Sequence, residues 1–81
     1  MQPTDETKAL ELIAEACGSD DVLSERDVDL FEAGFLDSLA FVELLVAFED
    51  RLGIVIAPTE IERRDVATVD RILALLDERL G

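Results

Sequence analysis

The sequence predicts a small all-α domain, a four-helix bundle with three longer helices and one short helix. Three stretches carry apolar residues at the spacing of one helix face, and Gly18 and Gly53 follow the first two where helices commonly end. Apolar residues make up 49% of the chain and charged residues 33%, which is enough apolar content to close one small core. We therefore expect a single domain over residues 1–81.

The first helix is predicted from Thr4 to Cys17, after Pro3, and its apolar positions recur at i, i+3, i+4 and i+7. The acidic connection 19–36 that follows is too apolar for a free linker. We expect it to lie on the core through five side chains: Val22, Leu23, Val28, Leu30 and Phe31.

The predicted helix Ser38–Leu52 carries two apolar stripes, where a surface helix needs only one. The stripe assigned to the core comprises Phe41, Leu44, Leu45, Phe48 and Leu52. The second stripe is Leu39, Val42 and Val46, interleaved with Glu43, Glu49 and Asp50. Periodicity alone leaves burial against another helix and exposure to a partner equally open, and the acids favour exposure.

The last third of the chain predicts a connector, a short helix and a packing helix. Residues 54–56 are apolar and extended, but Pro58 follows and no second strand is available to pair with them. Thr59 and Glu62 have the spacing of a capping box, which predicts a short helix. Thr68 opens the final helix, which has one apolar stripe: Val69, Ile72, Leu73, Leu76 and Leu80.

Charge and residue usage exclude several functions. The formal net charge of −13 repels nucleic acid and anionic membranes and attracts proteins with basic patches. With no His in the chain, a Ser-His-Asp apparatus cannot be built, so we expect no catalysis by the chain itself.

No apolar run approaches the roughly 20 residues of a membrane span, and the first residues are acidic rather than signal-like. We expect a cytoplasmic monomer without stable membrane insertion.

Ser38 stands at the start of the two-striped helix, where backbone N–H groups lack intrahelical partners. Helix capping by Ser38 or Asp37 would explain these residues without any further function. The functional alternative is that the Ser38 hydroxyl bears a phosphodiester, because free amides and the helix dipole favour an anion there.

These residues resemble the signature of acyl and peptidyl carrier proteins, and the resemblance covers essentially the whole chain. Its motif residues are Gly34-x-x-Asp37-Ser38-Leu39, then Val42-Glu43-Leu44 and Glu49. The resemblance implies the acyl-carrier-type four-helix fold and a 4'-phosphopantetheine arm that a phosphopantetheinyl transferase attaches to Ser38 from coenzyme A. It also implies that Asp37 helps the transferase place its metal ion and the serine hydroxyl. The implied partner surface is Leu39, Val42, Glu43, Val46 and Glu49.

Within the superfamily the chain resembles the D-alanyl carriers of lipoteichoic acid alanylation. The resemblance rests on Phe31-Glu32-x-Gly34-x-Leu36-Asp37-Ser38, Val42-Glu43-Leu44-Leu45 and Thr59-Glu60-x-x-Arg63. That group often has Phe and Trp where this chain has Leu39 and Ala67. We therefore expect a related role in natural-product synthesis, with an adenylating ligase loading the arm and a downstream acyltransferase or polyketide or peptide synthase unloading it. D-Alanyl carriage is the alternative.

A different class of protein, without a prosthetic group, also fits the acidic net charge. An acidic adaptor or DNA-mimic protein would use the exposed stripe without any prosthetic group. Arm attachment separates this class from a carrier.

Overall fold

The computed structural model describes residues 2–80 and confirms the all-α prediction. Three α-helices span Pro3–Cys17 (α1), Ser38–Leu52 (α2) and Val69–Leu80 (α3). Short 3₁₀ helices lie at Asp20–Leu23, Pro58–Glu60 and Arg63–Val66, and no strand occurs within residues 2–80. No helix in this part of the chain is long and apolar enough to cross a membrane.

The ends of the long helices follow the predicted signals. Pro3 opens α1, and Gly18 and Gly53 follow the last residues of α1 and α2. Thr68 precedes α3, and its Oγ1 accepts a hydrogen bond of 3.1 Å from the Arg71 amide, which satisfies one of the free donors of the first turn.

The short fourth helix forms as two 3₁₀ turns, and its capping contacts differ from those predicted. Thr59 lies inside the turn Pro58–Glu60 because Pro58 starts the helix one residue earlier. The expected contact between Thr59 and Glu62 is therefore replaced by two others. Glu60 Oε2 accepts from the Ala57 amide at 3.1 Å, and Asp65 Oδ2 accepts from the Glu62 amide at 2.9 Å.

The core lies between α1, α2 and α3 and includes the loop that joins α1 to α2. α1 packs chiefly on α2 and to a lesser extent on α3. In that loop Val22 and Leu30 are buried, Leu23 and Phe31 pack at the edge of the core, and Val28 is half-buried. The largest buried side chains of the core are Ile13, Val22, Leu30, Leu44, Phe48, Val66, Val69, Ile72 and Leu76.

Leu30 joins the α1–α2 loop to the core and to the segment before α3, so we expect stability to be most sensitive to substitution at this position of the loop. Its side chain is fully buried, and its amide donates to the Ala67 carbonyl at 2.7 Å. We expect Leu30→Ala to lower the free energy of unfolding by about 2–5 kcal/mol, because it leaves a cavity in the core. Val28→Ala, at a half-buried position outside the core cluster, should cost about 1 kcal/mol or less. Urea unfolding followed by circular dichroism measures both, and equal losses would contradict this role for Leu30.

Candidate functional site

The loop before α2 is a tight turn fixed by Asp29 and Gly34. Asp29 Oδ1 accepts hydrogen bonds of 3.0 Å from the amides of Phe31 and Glu32, as Asp commonly does in turns. Gly34 has a φ of 82°, in the left-handed region that favours glycine. The chain can therefore reverse direction within a few residues.

After the reversal the chain returns to Leu30. The Leu30 carbonyl accepts from the amides of Phe35 at 2.8 Å and Leu36 at 3.0 Å, and the Leu36 side chain is buried. These contacts fix the backbone immediately before Asp37 and Ser38. The start of α2 is thus a rigid point on the surface.

Asp37 caps α2, and Ser38 does not. Asp37 Oδ1 accepts from the Ala40 amide at 2.8 Å, and the Asp37 carbonyl accepts from the Phe41 amide at 2.9 Å. Ser38 is the first residue of the helix and is exposed. Among residues 2–80 no group forms a hydrogen bond with its hydroxyl. Capping therefore explains Asp37 and leaves the Ser38 hydroxyl free to react.

The other two serines of the chain are engaged in local contacts. Ser19 Oγ accepts from the Asp21 amide at 3.1 Å and caps the first 3₁₀ helix. Ser24 Oγ donates to the Asp21 carbonyl at 3.4 Å. Of the three serines, Ser38 is therefore the one that can be modified without breaking a hydrogen bond of its hydroxyl to any of residues 2–80.

A cleft of about 560 Å³ opens beside Ser38. The Phe31 ring meets the Phe41 ring edge-on, with centroids 6.0 Å apart and planes at 68°. The Arg63 guanidinium carbon lies 4.4 Å from the Phe31 centroid, within range of a cation–π contact. The cleft is lined by Phe31, Gly34, Leu36, Asp37, Ser38, Phe41, Pro58, Ile61 and Arg63.

The second stripe of α2 faces solvent. Leu39 is 69% exposed, Val42 43% and Val46 52%, whereas the other stripe is buried or packs at the edge of the core. Glu43 and Glu49 are also exposed on this helix. The structure thus decides between the two explanations that periodicity left open, in favour of an exposed apolar strip with acidic neighbours.

Every site residue named from the sequence lies at the start or on the exposed face of α2. Two features of the cleft were not predicted from the sequence: Phe41 as one of its walls, and the stacking of Arg63 on Phe31. Phe31 and Arg63 come from separate segments, and no local pattern links residues so far apart in the chain.

Comparison with known families identifies the kind of site. The family described as "Phosphopantetheine attachment site" matches residues 7–76, which include all of α2 and the cleft. The chain belongs to this family of carrier proteins. The family carries 4'-phosphopantetheine as a covalently attached cofactor, and the resemblance read from the sequence is confirmed. A free hydroxyl on a rigid helix start, beside an open cleft, fits such an arm.

Individual relatives extend over nearly the whole chain. A D-alanyl carrier protein of Bacillus velezensis is 42% identical over 71 residues, 88% of this chain and 91% of the relative. Those of Latilactobacillus sakei and Abiotrophia defectiva are 38% and 37% identical, over 90% and 94% of this chain and 94% and 96% of the relatives.

The capping geometry predicts different costs for neighbouring substitutions. Asp37→Ala should lower the free energy of unfolding of the unmodified protein by about 0.5–2 kcal/mol, because it removes the bond to the Ala40 amide. Asp37→Asn retains an acceptor and should cost less. Ser38→Ala should change the free energy by no more than about 0.5 kcal/mol, because the hydroxyl has no partner within residues 2–80. Urea titration compares the three, and a large loss in Ser38→Ala would show that its hydroxyl does cap α2.

Proposed function

We propose that this protein is a D-alanyl carrier, which holds D-alanine as a thioester on a 4'-phosphopantetheine arm attached to Ser38. The family supports the arm, and the relatives at 37–42% identity, all D-alanyl carrier proteins, support the cargo. Those relatives lend no support to the polyketide or nonribosomal peptide role expected from the sequence, so D-alanyl carriage replaces it in our proposal.

The observation that carries the proposal is the free Ser38 hydroxyl on a fixed helix start. When a transferase acts, Ser38 Oγ forms the new bond to phosphorus, a pyrophosphate bond of coenzyme A breaks, and the nucleotide part leaves. The hydroxyl proton passes to a base of the transferase or to solvent. No hydrogen bond of Ser38 within residues 2–80 has to break first.

Asp37 contributes its second carboxylate oxygen to the attachment of the arm. Oδ1 caps the helix, and among the described residues Oδ2 has no hydrogen-bond partner. The cap fixes the carboxylate, so Oδ2 is available for the metal ion that carrier proteins meet in their transferase. Asp37 is thus both a structural cap and a contact for the modifying enzyme.

The exposed strip of α2 is the surface for partner enzymes. Leu39, Val42 and Val46 provide apolar area, and Glu43 and Glu49 provide charge that attracts a basic partner surface. Brief contacts with several enzymes require fast, electrostatically steered binding. Ser38 is the first residue of the same helix, so a partner bound to the strip has the attachment point of the arm at a fixed position.

The chain contributes position and recognition in the cytoplasm, and its partners contribute the reactions. When bound, the arm supplies a terminal thiol that holds a carboxylic acid as a thioester. An adenylating ligase loads it, and a downstream acyltransferase removes the cargo.

Loading by a D-alanine-adenylating ligase tests the cargo. The arm-bearing protein, ATP and each of D-alanine, L-alanine and glycine are incubated with a ligase that charges the Bacillus velezensis relative. We expect intact mass to show one D-alanyl group, removable by hydroxylamine, on the wild type and none on Ser38→Ala. Burial raises the pKa of the half-buried Cys17 thiol, which makes it a poorer nucleophile than a fully exposed thiol. Absence of loading under conditions that fully charge the relative would contradict the D-alanine assignment.

Charge reversal tests the partner strip. Glu43→Lys or Glu49→Lys should lower kcat/KM for loading by roughly tenfold, because a steering charge is inverted. Glu15→Lys changes the net charge equally but lies on α1, and it should load nearly as the wild type does. All three exposed substitutions should alter stability by no more than about 0.5 kcal/mol. Equal kcat/KM values for the three variants would show that the α2 strip does not guide the ligase.

A further inference from the structure

Arg63 is a cation without an acidic partner among the described residues, although the protein is strongly acidic. Among residues 2–80 no carboxylate lies within ion-pair distance of its guanidinium, and no acceptor forms a hydrogen bond with it. Its neighbour Arg64 instead pairs with Glu62 at 2.6 Å, and Arg79 pairs with Glu60 at 3.3 Å. The chain has twenty Asp and Glu, so an unpaired arginine leaves its five donors available to an anion from outside.

The aromatic contacts fix where this cation lies. Arg63 rests on the Phe31 ring at 4.4 Å, and Phe41 of α2 supports Phe31 edge-on at 6.0 Å. Stacking of this kind is favourable even at an exposed site, so it restricts a side chain that would otherwise be mobile. The free donors of Arg63 are therefore presented at one place, on the wall of the cleft.

Ser38 lies on the same cleft. The cleft also has apolar walls from Phe31, Phe41 and Ile61, and its volume of about 560 Å³ leaves room for an extended chain of atoms. A phosphodiester on Ser38 Oγ would bring a permanent negative charge to the rim that Arg63 shares. Arginine binds phosphate oxygens through paired N–H donors, so charge and donor geometry are complementary.

We propose that Arg63 is a positioning residue for the arm: it binds the phosphodiester at Ser38 and directs the pantetheine chain into the cleft between Phe31 and Ile61. The inference rests on Ser38 being the attachment point. Under this proposal the unloaded arm has a defined position on the carrier: its apolar pantetheine atoms contact the cleft walls, and its phosphodiester binds Arg63.

Nearby acidic side chains weaken the proposed contact between Arg63 and the phosphodiester. Asp29 and Glu32 line the adjoining groove with Arg63, but the Asp29 carboxylate already accepts two backbone hydrogen bonds. They reduce the positive potential at the cleft without pairing with Arg63. The contact should therefore weaken as salt is added, as exposed charge pairs do.

The test compares the protein with and without its arm by amide NMR. We expect attachment of unloaded phosphopantetheine to shift the amide signals of Phe31 and Ile61 as well as those next to Ser38. In Arg63→Gln the shifts at Phe31 and Ile61 should fall roughly two- to fivefold, the range for losing one partly exposed charge contact. Arg63→Lys should retain more of them than Arg63→Gln, because it keeps the charge.

Arg64→Gln is the matched control, since Arg64 is adjacent in the chain but does not line this cleft. Its arm-induced shifts should equal those of the wild type. Comparing each variant with its own unmodified form removes the direct effect of the substitution on the amide signals, and Arg63→Lys shows how much depends on the charge. Equal shifts at Phe31 and Ile61 in Arg63→Gln and the wild type, or shifts confined to residues 36–40 in every protein, would overturn the proposal. Intact mass of the same samples confirms that the arm is attached, so failure of attachment is recognised separately.

Discussion

The candidate site depends on the return of the loop to the Leu30 backbone. The Leu30 side chain lies in the core, its amide donates to the Ala67 carbonyl, and its own carbonyl accepts from Phe35 and Leu36. One residue thereby joins the loop, the segment before α3 and the start of α2. A flexible prosthetic arm needs a fixed attachment point, and these hydrogen bonds fix the backbone next to Ser38.

α2 then serves two purposes on opposite faces. Leu44, Leu45 and Phe48 close the core, so the helix cannot rotate to bury its second stripe. Leu39, Val42 and Val46 therefore remain exposed. The adjacent acidic side chains keep this apolar strip hydrated, and their charge repels other copies of the same protein. The net charge of −13 acts in the same direction, because it disfavours self-association and favours basic partners.

The sequence predicted the features that depend on local chemistry. Helical spacing placed α1, α2 and α3, and Gly18, Gly53 and Thr68 marked their ends within one residue. The motif around Asp37 and Ser38 identified the family. The division of roles between these two residues was open, because either side chain can cap a helix and only the backbone geometry selects Asp37.

Features that depend on distant contacts were beyond the sequence pattern. Periodicity could not decide whether the second stripe of α2 is buried, since that depends on where α1 and α3 pack. The contact of Arg63 with Phe31 joins two segments that share no motif. Capping in the short helical segment also depended on where Pro58 starts the turn, so Glu60 and Asp65 made the contacts expected of Thr59 and Glu62.

The most direct measurement is the mass of the folded protein after incubation with coenzyme A and a phosphopantetheinyl transferase of broad specificity, followed by peptide mapping. Our account predicts one added phosphopantetheine on the peptide that contains Ser38, none on the peptides that contain Ser19 or Ser24, and none on Ser38→Ala. An unmodified wild-type protein, under conditions that fully modify a known carrier, would contradict it and favour an acidic adaptor without an arm. Modification at a different serine would contradict the assignment of Ser38.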